Sequence, residues 1–315
     1  MGKRSRVKVG AGQAGAPKAT GEVGPRQPCP CGSGRRYKAC HGSASGAPAY
    51  VARPFQGMPS ECDVVALREL VPAATATLTL RDHPDRAVQL CSLLPMAAPA
   101  LVRQDGAIWL GLQVQHGFGD PSRDLAAVLE LALEAEPGSV VGLTEPPGLG
   151  ARLQDLVTDA SLQVTVHDGF DFWVADVDDP DGTLGASLEQ ANAAAHPTAR
   201  LTSVDAAYWT NVGTKEHLRW VLPYDEERLV SALARLHVAG RDRLTEDSRL
   251  VGAFRTQGLL VPVWDLPVGT GVGALEEPAA RLAEHLTAAL AADAPLTAPE
   301  RAARNGLVNR QLTIR

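Results

Sequence analysis

The sequence predicts an α+β fold, a mixed body of antiparallel hairpins and packed helices, preceded by a small N-terminal unit of different character. Three observations carry this. Short alternating stretches meet at Asp105-Gly106 and Asp168-Gly169, dipeptides suited to tight hairpin turns. Longer stretches such as Ser122 to Glu136 and Asp225 to Ala239 repeat apolar residues at helical spacing, and hairpins mixed with helices favour α+β over a doubly wound sheet. Finally, residues 1–41 hold nine Lys or Arg against one acid, Glu22; of whole-chain totals of 30 and 36, that leaves 21 basic and 35 acidic residues for the rest.

Taken in order, residues 1–24 are rich in Gly, Ala, Lys and Arg with almost nothing to bury, and read as a disordered basic arm. Residues 25–41 bring Cys29, Cys31, Cys40 and His41 into one short stretch. Three thiols and an imidazole form a common tetrahedral Zn²⁺ ligand set. Pro30 stiffens the loop between the first two ligands, and Gly32 and Gly34 let the backbone turn beneath a metal. Such a module folds with its ion. The chain starts MGKRSR without an apolar leader, so a disulfide reading is disfavoured and the expected compartment is the cytoplasm. Cys62 and Cys91 stand alone in apolar surroundings and read as core residues.

Residues 42–56 read as a flexible linker, and the body runs from 57 to 315. Ser60 is expected to cap a helix, with Asp63 reciprocating and Val64, Val65, Leu67 and Leu70 on its apolar face. Strands are expected at Thr75 to Leu80 and Val88 to Leu94, then a hairpin about Asp105-Gly106. Ser122 is the expected cap of the next helix. Asp168-Gly169 should join LQVTVH to FDFWV as a second hairpin, and a helix from Leu184 should end before His196-Pro197. Strands at Leu201 to Thr210 and His217 to Leu222 precede the Asp225 to Ala239 helix. A helix from Ser248 to Thr256, the strand LLVPVW, a helix from Glu276 to Ala292 and a short one from Pro299 to Gly306 complete the chain. WLGLQVQ before RDLAAVLELAL echoes LRWVL before ERLVSALARL, pointing to two similar halves divided near residue 196. The five tryptophans are expected in strands, filling the core.

The Cys29 to Gly42 segment, with Gly-Ser-Gly, Tyr37 and Lys38 between its ligands, resembles the SEC-C motif, best known as the zinc-binding tail of the bacterial preprotein translocase motor ATPase. The resemblance implies zinc held by Cys29, Cys31, Cys40 and His41, where many members carry a second Cys in place of His41. It also implies a contact surface for proteins, ribosomes or membranes. It does not imply ATPase activity, because the chain has no G-x-x-x-x-G-K-[ST] loop. The whole chain resembles a family of high-GC actinobacterial proteins with an N-terminal SEC-C motif and a body of unknown function. The residues that carry this are Tyr50 onward, VHDGFDFWV, Tyr208 to Gly240, GLLVPVWDLP and the ending ERAARNGLVNRQLTIR.

The expected function is that of a non-enzymatic cytoplasmic adaptor, docking on a protein, ribosome or RNA. Arg35, Arg36 and Lys38 would contact phosphates or carboxylates. Two other classes stay open. One is an enzyme using carboxylates with His167 or His217; the stretch His167, Asp168, Asp171, Trp173, Asp176, Asp178, Asp179 and Asp181 is its most acidic candidate. The other is an accessory factor in protein export. Gly269-Thr270-Gly271-Val272-Gly273-Ala274 has the spacing of a dinucleotide fingerprint, but too little chain follows for a βαβ unit, so it reads as a loop capping the next helix. His217, His237 and His285 read as surface or satisfied histidines.

Overall fold

The computed structural model describes residues 26–27, 36–37, 50–174 and 183–309. The fold is α+β and contains two sheets. Helix α1 (Glu61–Glu69) buries Val64, Val65, Ala66 and Leu67. Ser60 precedes it but does not cap it: its hydroxyl accepts the Leu162 N–H at 2.9 Å. Asp63 turns outward to long-range partners, so the expected capping box is replaced by first-turn acids that suit the helix dipole.

The first sheet comprises β1 (Ala74–Leu78), β2 (Val88–Cys91), β3 (Ala100–Val102), β4 (Ile108–Gly111), β5 (Val140–Val141) and β6 (Val164–Val166). Their order is β5-β3-β4-β2-β1-β6, antiparallel except for β2 beside β4. The Asp105-Gly106 turn forms as expected: Gly106 takes φ +84°, and Asp105 Oδ1 accepts the Ala107 N–H at 2.9 Å. Helix α2 (Pro121–Glu134) has its cap two residues early, at Asp120 and not Ser122. Pro121 prefers the first helical position, which makes its predecessor the cap. Ser122 is buried instead, donating to Gln154 and accepting the Leu153 N–H, which ties α3 (Leu153–Leu156) to α2.

The second expected hairpin does not form. β6 pairs with β1, and Asp171–Val174 coils into a 3₁₀ turn. The turn gathers His167, Phe170, Phe172 and Trp173 into one ring cluster, where a strand would have sent alternate rings to opposite faces. Trp173 is consequently the one tryptophan outside a strand.

Helix α4 (Thr183–Ala194) leads to β7 (Thr198–Arg200), β8 (Ala207–Asn211) and β9 (Glu216–Trp220), so the strand expected from Leu201 to Thr210 is a hairpin. Asp225 caps α5 (Glu226–Val238) by accepting the Glu227 and Arg228 amides. The helix expected at Ser248 to Thr256 is a strand, β10 (Arg249–Thr256), paired with β11 (Leu259–Leu266). Leu250, Gly252 and Phe254 are its buried positions, and a bulge between Leu250 and Gly252 turns Leu250 and Phe254 to opposite faces of the sheet. The turn uses positive φ at both Gln257 (47°) and Gly258 (80°), as a two-residue hairpin requires. Helices α6 (Glu276–Leu290) and α7 (Ala298–Asn309) follow, the latter longer than expected. The second sheet, β10-β11-β9-β8-β7, is antiparallel throughout. Strand then helix recurs in both halves, but the two strand orders differ.

One face of the second sheet packs Leu218, Trp220 and Trp264 against α5 and α6. Its other face, through Tyr208, Val221, Phe254 and Val261, shares a core with α1 and the first sheet. The end of the expected linker belongs to this core as well, since Phe55 is fully buried. Gly258 makes room for it: a Cβ there would lie 2.6 Å from the Ala52 carbonyl.

Candidate functional site

Of the predicted zinc module, Cys29, Cys31, Cys40 and His41 lie outside the described residues, as do Arg35 and Lys38. The donor set itself fits zinc, being three thiols and an imidazole. What is described is its frame. The Tyr37 N–H donates to the Gln27 carbonyl at 2.8 Å, joining positions on either side of the first ligand pair. The Tyr37 ring is buried, and its hydroxyl accepts the Tyr50 N–H at 2.7 Å. Val51 continues the attachment, donating to the Gly119 carbonyl at 3.2 Å. Arg36 beside it is exposed. Among the described residues no group of three or more His, Cys, Asp or Glu side chains could hold a metal.

The acidic stretch resolves into a structural role where it is described. His167 Nε2 lies 2.9 Å from Thr75 Oγ1, and its ring stacks on Phe172 at 4.6 Å. Burial lowers its pKa against the pull of Asp168, so the ring is neutral at pH 7. Asn192 accepts the Phe170 N–H and donates to Asp171, while Trp173 donates to the Leu93 carbonyl. Asp176, Asp178, Asp179 and Asp181 lie outside the described residues. His217 belongs to the other sheet, with Nδ1 3.0 Å from Asp265 Oδ1, and Lys215 takes the second Asp265 oxygen at 2.7 Å. Burial again lowers the histidine's pKa, Asp265 opposing. His167 and His217 therefore do not share a site.

The glycine-rich loop is occupied by the protein itself. Gly269 and Gly271 donate their N–H groups to the buried Glu216 carboxylate at 2.6 and 2.9 Å, and Trp209 Nε1 adds a third bond at 2.7 Å. Burial works against this charge, but the three donors outweigh it, and Glu216 titrates below the ordinary carboxylate range. The amides that a nucleotide phosphate would need are already taken.

Charged groups to which the sequence assigned no site role line hollows of the body. A groove of about 670 Å³ lies where α1 meets the second sheet. Asp63, on its wall, binds Arg200 through two bonds of 2.9 and 3.1 Å and accepts the Tyr208 hydroxyl at 2.6 Å. Beside it Glu61 pairs with Arg53 at 2.6 Å. Burial, aided by Glu61 and Asp63, pushes the Cys62 thiol up to about 12. A second cavity, about 320 Å³, opens between α2 and the Met96 to Pro99 segment, with Arg68 and Asp124 in its lining.

Residues 54–315 match the model of a family of unknown function, DUF5926. The chain belongs to the DUF5926 family. Ahead of that region, residues 26–43 match the SEC-C motif. A stretch of 29 residues is 62% identical to the protein translocase subunit SecA of Beijerinckia indica, covering 9% of this chain and 3% of that protein. The likeness is thus confined to a piece the size of the motif. No solved structure matches the chain.

Within the DUF5926 body the overlooked groups did leave a signal. Arg68 stands four residues after Val64, which places a charge on the apolar stripe of α1. Asp63 offers no such clue. Its cap-like position has a local explanation, whereas its partners lie 137 and 145 residues away.

Proposed function

We propose that this chain is a zinc-binding adaptor, whose SEC-C segment docks on an RNA-bearing partner such as the ribosome while the DUF5926 body supplies a second surface. The observation that carries the reading is the SEC-C match over residues 26–43 with four candidate ligands in it, Cys29, Cys31, Cys40 and His41. Nine basic residues against one acid in the first 41 support a phosphate-rich partner over an acidic protein, because charge of that density binds by counterion release. Zinc fixes the geometry of the segment, and Arg35, Arg36 and Lys38 make the anion contacts.

The test is co-sedimentation of the tagged chain with ribosomes across a salt series. Association that weakens steeply with salt and disappears in Cys29→Ser or after chelation is the expected result. Binding that ignores both salt and zinc would overturn the reading, and capture of translocase components in place of ribosomes would move the function to protein export.

A further inference from the structure

We propose that the cavity between α2 and the Met96 to Pro99 segment binds one free α-amino acid with an apolar side chain, its carboxylate on Arg68 and its ammonium on Asp124. This concerns the body alone and does not depend on the adaptor reading. At about 320 Å³ the cavity is at the small end of ligand pockets, with room for one small molecule. Phe118, Leu125, Val128 and Leu143 give it apolar walls.

Two opposite charges stand in that apolar lining. Arg68 reaches in from α1, and its Nη1 donates to the Leu112 carbonyl. Its Nε is buried without a hydrogen-bond partner: Glu69 Oε1 is 3.4 Å away but misaligned, and that oxygen already accepts from Gln257. That nitrogen has no exposed surface, so a ligand in the cavity would meet the guanidinium at its terminal nitrogens. Asp124 comes from the first turn of α2, and one of its oxygens accepts the Phe118 N–H at 2.7 Å. Burial lowers the pKa of Arg68 against the pull of Glu69 and Asp124, and raises that of Asp124 against the Phe118 N–H, Arg68 and Arg123.

Electroneutrality then selects the ligand. A simple acid or a simple amine would satisfy one group and bring an unbalanced charge into an apolar site. A carboxylate and an ammonium on the same carbon neutralise both, and the side chain takes the walls. The rim has the character of a ligand mouth. Met96 is 83% and Val140 62% exposed, two large apolar side chains held in water at one opening. Met96 and Ala97 also take left-handed φ values of 55° and 53°, and Gln115 holds the Met96 carbonyl in that strained shape.

Calorimetric titration of the full chain tests this with leucine, methionine and phenylalanine. The matched probes are 4-methylpentanoate and 3-phenylpropanoate, which lack the amine, and isopentylamine and phenethylamine, which lack the carboxylate. At least one amino acid should bind tenfold or more tighter than both of its single-headed analogues. Arg68→Met should erase the preference over the amine, and Asp124→Asn the preference over the acid. Cys29→Ser should leave binding intact, which keeps this outcome separate from any failure of the adaptor reading. Absence of measurable binding by all three amino acids to the unaltered chain would overturn the proposal. So would an acid or amine that binds as tightly as its parent amino acid. Neither result depends on a variant folding.

Discussion

Arg200 grips Asp63 through both of its terminal contacts, Nε to Oδ1 at 2.9 Å and Nη2 to Oδ2 at 3.1 Å, and so joins the edge strand β7 to helix α1. Tyr208 completes the arrangement from β8, and Asp63 is only 6% exposed. Arg200→Met leaves that carboxylate buried with one hydroxyl for company. The expected loss is about 3 kcal/mol, read as a lower urea midpoint. The double change Arg200→Met with Asp63→Leu should lose less than the sum of the two single losses, since no unpaired charge is left behind. An unchanged midpoint for Arg200→Met would show that the pair does not bind the two parts of the core together.

Glu216 gives stability a defined acid limb. Its folded-state pKa is depressed, and so is that of Glu276, where burial is outweighed by donation from Ser203 and Thr202. The sign follows from linkage: a depressed carboxylate contributes in full above its unfolded pKa, near 4.5, and the contribution is lost as pH falls below that towards the folded value. Glu216→Gln should cost about 2 kcal/mol at pH 7, because charge-assisted bonds become weaker or mismatched. The deficit relative to the unaltered chain should shrink as the medium is acidified below pH 4.5. A deficit constant with pH would rule out the charge as its source. Trp209 fluorescence provides a local readout, as its indole donates to the same carboxylate.

Cys62 and Cys91 should be chemically quiet. Burial drives both thiols up to about 12, with Glu61 and Asp63 adding to the effect at Cys62 and Arg103 partly opposing it at Cys91. In a background with Cys29, Cys31 and Cys40 changed to Ser, a short iodoacetamide pulse at pH 8 should label neither. Both should label fully in urea. Rapid labelling of folded Cys62 would make it a functional thiol.

Zinc should be present at about one equivalent and should matter only locally. Cys40→Ser or chelation is expected to remove it while leaving the main unfolding transition of the body in place, since no metal-ligating cluster occurs among its described residues. Co-operative collapse of the body on chelation would contradict this.

Gly258→Ala tests how the body is closed at its N-terminal end. The added methyl would meet the Ala52 carbonyl at 2.6 Å and Arg53 Cβ at 2.7 Å, on a backbone with φ +80°. A loss of about 2 kcal/mol or more is expected, together with faster proteolysis ahead of Phe55. Wild-type proteolysis would mean that the segment adapts without cost.

How much of this is legible in sequence depends on whether the deciding interaction is local. α5 reads correctly because its Asp225 cap and its apolar stripe lie within the helix itself. The start of α2 misleads because Asp120 and Ser122 both look like caps and the proline between them decides. In β10 a bulge between Leu250 and Gly252 shifts the apolar residues from one face to the other, so the period-two alternation that marks a strand is broken in the middle. The SEC-C motif is legible because its residues are contiguous in sequence. Asp63 with Arg200, and Arg68 with Asp124, are not, because each pair is assembled from distant parts of the chain by the packing of α1.

The contact from Tyr50 to Tyr37 sets a limit on reach. The 13 steps of chain from one to the other could stretch roughly 45 Å if pulled straight, but the Tyr37 hydroxyl is bonded back to the Tyr50 amide, and Val51 is fastened to Gly119. Tyr37 is thereby held beside the body. A partner captured at the SEC-C segment would therefore be delivered to the doorstep of the body, one residue from Phe118 in the cavity wall, at a local concentration far above its bulk value.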